Sequence, residues 1–124
     1  MSRASERGAV AVEFAIVAPL LVMILLGIME FGRAYNAQIS LTNAAREGVR
    51  VMAVSNNQTS ARTAAKNAAV SLSPGLADAN IIFSTASCTP TAQMTVTVNY
   101  TLSTLTGIAG PFTMKGKGVM LCGG

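Results

Sequence analysis

Glu13 is the one charged side chain between Gly8 and Met29, in a stretch that is otherwise apolar through Pro19 to Gly27 and Ile28. An ionised carboxylate in a hydrocarbon phase costs about 2.5 to 3.5 kcal/mol on insertion scales, so something must offset it. Glu13 lies four residues after Ala9. A cut between Gly8 and Ala9 would start the helix on a new α-ammonium group. In a row of packed subunits, Glu13 of one chain would then pair with the terminal ammonium of its neighbour. A second account keeps Glu13 at the membrane interface with its carboxylate snorkelling outward. On charge alone the two accounts stand level.

Cys88 and Cys122 are the other pair whose types suggest chemistry. The chain has no His, which leaves too few ligands for a zinc site. An isolated cysteine pair in a small domain facing an oxidising compartment reads as a disulfide. Closing the loop of 33 intervening residues would stabilise the fold by about 3 to 4 kcal/mol in the chain-entropy model. A bond within one chain is expected, and a bridge from the near-terminal Cys122 to another subunit is the alternative.

No catalytic constellation accompanies these residues. Beyond the apolar stretch the acids are Glu47 and Asp78, and the many Ser and Thr lack a nearby base. Gly107-Ile108-Ala109-Gly110 is not a phosphate loop, and the methionines sit at packing positions. An enzyme, a cofactor, a metal and a small-molecule substrate are therefore not expected. The nine Lys and Arg give a formal charge of +4 but form no run with interleaved aromatics, which argues against nucleic acid.

These residues need elements to hold them. The 21 residues from Ala9 to Met29 would make a helix of about 31 Å, matching a hydrocarbon core of about 30 Å. The chain of 124 residues then divides into a cytoplasmic leader over residues 1–8, a membrane span over 9–30 and an extracytoplasmic domain over 31–124. The leader is expected to carry no fold. Arg3, Arg7 and Glu6 together contribute +1, so losing it would lower the charge from +4 to +3. Arg3 and Arg7 before the span, against Arg33 beside Glu30 after it, place the N-terminus in the cytoplasm. A secretory signal peptide has a shorter apolar core and a small-x-small site, and neither is met. Pro19 removes a backbone donor and is expected to kink the span.

Past Met29 the helix is expected to continue. Phe31, Tyr35, Ile39, Thr42, Ala45, Val49 and Met52 recur at spacings of three and four, while Arg33, Asn36, Ser40, Asn43, Glu47 and Arg50 follow another face. Glu47 and Arg50 read as a weak pair on a solvated face. Ser55-Asn56-Asn57 should stop this helix. A second helix, capped by Thr59 or Ser60, should run through Ala61, Ala64, Ala65, Ala68, Ala69 and Leu72 until Ser73-Pro74-Gly75. From about Asn80 the period becomes two: Met94, Val96, Val98, Tyr100 and Leu102 alternate with polar residues, as in a half-buried strand. Ile81 to Ala86 and Phe112 to Leu121 are the flanking strand candidates, with Thr106 to Pro111 as a loop. The fold class is α+β: a long N-terminal transmembrane helix continuing as an amphipathic helix, a short second helix and a three-stranded antiparallel sheet.

Gly8, four residues and then Glu13-Phe14 at the head of an apolar helix resembles the processing site of type IV prepilin-like proteins. The longer pattern of Arg7-Gly8, Glu13-Phe14-Ala15, Pro19-Leu20-Leu21, Gly27 to Ala34 and Asn43-Ala44-Ala45-Arg46-Glu47-Gly48-Val49-Arg50 resembles the TadE-like family, the pseudopilins of tight-adherence (Flp) pilus systems. The resemblance covers the first half of the chain in detail. It implies cleavage by a prepilin peptidase between Gly8 and Ala9, N-methylation of Ala9, retention in the cytoplasmic membrane, a pilin-like fold and assembly with other pilin subunits and inner-membrane pilus proteins. The competing reading is an uncleaved single-span anchor whose outer domain binds another envelope protein.

Overall fold

The computed structural model describes residues 3–72, 74–105, 107 and 110–123. Its elements are α1 (Arg3–Ser55), α2 (Gln58–Ala68), a short 3-10 turn (Asp78–Asn80), β1 (Ile81–Phe83), β2 (Gln93–Leu102) and β3 (Phe112–Leu121). The chain divides into two units, Met1–Arg33 and Ala34–Gly124. This is the α+β, pilin-like arrangement expected, with a few corrections.

The first unit is helix. Its apolar side chains are exposed along the whole stretch, from Val10 and Phe14 through Leu21 and Leu25 to Met29. Side chains left bare over this length suit lipid and not water, and α1 is long and apolar enough to cross a membrane. Pro19 lies inside it. Residues 3–8 are helical too, where no fold was expected. Glu6 sits in the first turn, where a carboxylate meets the positive end of the helix dipole.

In the second unit the later part of α1 packs a face of alanines, Leu41, Val49 and Met52 on the sheet. Ala37, Leu41, Ala44, Ala45, Val49 and Met52 are buried with Met94, Val96, Val98, Tyr100 and Leu102 of β2. From Ala45 through Val49 to Met52 the core face is the one the spacing suggested, and before Ala45 it is rotated. Phe31, Tyr35 and Ile39 are 78%, 67% and 44% exposed, and Ser40, placed on the polar face, is buried with its hydroxyl hydrogen-bonded to that of Ser71 at 2.8 Å. Two neighbouring stripes of a helix share the same three-and-four spacing. The stripe of small residues lets the backbones approach, and it takes the sheet. Gly48 is the tightest junction with α2: a Cβ there would lie 3.3 Å from Ala65 Cβ and 3.5 Å from Val96 Cγ1.

Asn56 ends α1 in a left-handed conformation (φ 52°), which asparagine tolerates. The α2 cap is Asn57 and not Thr59 or Ser60: its side chain accepts from the Ser60 N–H at 3.1 Å. The helix stops at Ala68, short of Leu72, with the Ala69 N–H donating back to the Lys66 carbonyl. Ser73 lies outside the described residues, as do Thr106, Ile108 and Ala109 of the expected loop.

The sheet is antiparallel in the order β1-β2-β3. β2 and β3 follow the period-two pattern closely. β1 ends at Phe83 instead of Ala86, because after one more bond from the Ser84 N–H to the Thr95 carbonyl the chain bends away. The Tyr100 hydroxyl donates to the Pro74 carbonyl at 2.8 Å, pinning the loop after α2 to the sheet.

Candidate processing and assembly site

Gly8, Ala9 and Glu13 all lie on α1 and all are exposed. A Cβ at Gly8 would meet nothing within 4 Å. An interior helix glycine costs about 1 kcal/mol relative to alanine, so the fold of the chain gives no reason for a glycine here. A requirement from outside the chain would. The same openness surrounds Gly27 and Gly32, where small residues let a neighbouring helix come close in lipid. The Glu13 carboxylate has no hydrogen bond or ion pair among the described residues. Ala9 and Glu13, four apart, lie on one face of the helix about 6 Å apart along its axis.

The cysteines lie in the second unit. Cys88 and Cys122 are joined in one chain with Cα atoms 5.5 Å apart. The bridge holds a junction of three segments: the Cys122 N–H donates to the Ala92 carbonyl, the Gly123 N–H to the Ala53 carbonyl, and the Cys88 N–H to Asn56 Oδ1 at 2.6 Å. Asn56 therefore both ends α1 and holds the loop that carries Cys88. On non-reducing gels the Cys122→Ser variant is expected to show new Cys88-linked dimers, and its second unit should lose about 3 kcal/mol of stability. Wild-type protein running wholly as a reducible dimer would show an interchain bond instead.

The remaining polar contacts are surface pairs. Arg50 makes a two-pronged contact to the Glu47 carboxylate, through Nε at 3.1 Å and Nη2 at 2.5 Å. That hydrogen bond, with the guanidinium charge, holds the Glu47 carboxyl below its usual range. Lys66 does the same for Asp78, tying α2 to the 3-10 turn. Both pairs are well exposed, so each contributes little. Sequence reasoning missed the Lys66–Asp78 pair and the stacking of Arg62 over Phe83, 4.9 Å from the ring centroid. Each joins residues distant in sequence, and no local spacing announces them. Among the described residues no group of three His, Cys, Asp or Glu is placed to hold a metal.

Residues 8–50 match the model of the TadE-like protein family. The TadE-like segment takes in Gly8, Glu13, Pro19 and the Asn43 to Arg50 block. It leaves α2, the sheet and both cysteines outside it. No curated protein and no solved structure matches the chain.

Proposed function

We propose that the protein is a TadE-like pseudopilin: a structural subunit, not an enzyme, cut by a prepilin peptidase between Gly8 and Ala9 and assembled into or beneath a tight-adherence pilus. One observation carries the reading: a glycine that the fold does not need stands five residues before an unpaired acid on a TadE-like apolar helix. The uncut chain crosses the cytoplasmic membrane once, with residues 1–8 in the cytoplasm and the outer unit on the far side. Cutting creates an ammonium group on Ala9. Glu13 of an adjacent subunit pairs with it, which sets neighbouring helices about 6 Å out of step along their axes. The pair offsets the cost of an acid in lipid, while apolar helix faces supply the rest of the contact. Charge then provides register and packing provides affinity.

A bulky residue at the cut should stop processing without disturbing the chain, because the space around position 8 is open. Gly8→Ile is expected to accumulate as a membrane-bound precursor in cells that have an active prepilin peptidase. Normal cutting of Gly8→Ile would separate this glycine from any role in processing.

A further inference from the structure

β3 is an edge strand of ten residues paired with β2 without interruption. The Cys122 N–H bonds to the Ala92 carbonyl in the same register, so the even-numbered residues of β3 exchange bonds with β2. Antiparallel pairing then turns the N–H and C=O groups of Thr113, Lys115, Lys117, Val119 and Leu121 away from the sheet. The Lys115 carbonyl is taken by Gln38 Nε2 at 2.9 Å. The outward groups of Lys117 and Val119 have no partner among the described residues. Neither proline nor bulge closes this edge, and such an edge is a template for another strand.

Beside it lies a groove of about 950 Å³ whose lining includes Asn43, Arg46, Glu47 and Arg50 of α1 and Val119 and Met120 of β3. Its charge is one-sided. The outer unit carries six Lys and Arg against Glu47 and Asp78, and both acids are already paired, with Arg50 and Lys66. Arg46, Lys115 and Lys117 are exposed and have no ion pair among the described residues. A second copy fits this edge poorly. Antiparallel self-pairing centred on Gly116 or Lys117 sets lysine against lysine, and centring on Gly118 sets lysine against Val119 and Leu121.

We infer that the free edge of β3 takes an extended segment of a different protein, with carboxylates two residues apart opposite Lys115 and Lys117 and apolar residues opposite Val119 and Leu121. Backbone bonds to the outward groups of Lys117 and Val119 supply the pairing. The lysines select for acid. This docking does not depend on cutting at Gly8.

The test uses the full chain in detergent micelles and a fluorescent peptide of alternating Thr and Val, with Glu at the two positions that fall opposite the lysines. Gln and Lys peptides of the same pattern are the comparisons. The Glu peptide is expected to bind about tenfold more tightly than the Gln peptide and to slow amide exchange at Lys117 and Val119. Val119→Pro removes an outward N–H without removing a β2–β3 bond, and it should weaken binding. The double variant Lys115→Glu with Lys117→Glu should reverse the preference toward the Lys peptide, a gain that a misfolded protein would not show. Equal binding of Glu and Gln peptides, or protection that spares the edge, would overturn the inference. So would an unchanged preference in the double variant, or cross-linking of β3 to β3 between copies.

Discussion

A strain whose single copy carries Glu13→Gln is expected to make the protein, insert it and cut it after Gly8, yet to produce no filaments. The amide keeps the shape of the acid and sits in lipid at lower cost, so stability alone predicts that the variant accumulates at least as well as wild type. Nothing in the chain holds Glu13 in place, since it has no partner among the described residues, and its loss should leave the fold untouched. On the proposed pairing, what the variant lacks is the charge that would meet a neighbouring Ala9 ammonium. The protein should therefore fail to co-purify with other pilins. Normal piliation would sink the pairing and return Glu13 to an interfacial acid that snorkels.

The largest structural effect is expected at Gly116. A Cβ there would lie 2.3 Å from the Leu41 carbonyl oxygen and 2.4 Å from the Leu41 carbonyl carbon. Both are backbone atoms of a helix, so no side chain can swing aside to make room. Overpacking costs about 1 to 3 kcal/mol where side chains can adjust, and here β3 must lift off α1. Gly116→Val should abolish the cooperative unfolding transition of the outer unit, followed by circular dichroism in detergent. Gly75→Ala, where a Cβ meets nothing within 4 Å, should change stability by less than about 0.5 kcal/mol. A Gly116→Val protein that melts like wild type would show that β3 does not press on α1.

Both effects bear on how far the sequence could be read. The strand over Phe112 to Leu121 was legible from its period and its flanking loop, but its glycines were not. Gly116 and Gly118 look like weak points in a strand until Leu41 and Ala45 are seen beneath them. The later core face of α1, Ala45, Val49 and Met52, was legible from its spacing, but the earlier turns were not: Phe31, Tyr35 and Ile39 are exposed, and Ala37, Leu41 and Ala44 pack in their place. Asn57 was passed over as a cap since Thr59 and Ser60 offered the same chemistry two and three residues later. That Gly8, Glu13 and Pro19 share one helix was legible, because it depends on local spacing. The Lys66–Asp78 pair and the Asn56 clasp on Cys88 were not, because each requires the tertiary fold to bring distant segments together.

The most direct test of the central claim is the intact mass of the protein extracted from membranes of cells with an active prepilin peptidase. The account predicts a chain that begins at Ala9, with N-methylation adding one methyl group, and the longer precursor in cells without the peptidase. A chain that keeps residues 1–8 in both strains would contradict it and leave a single-span anchor in its place.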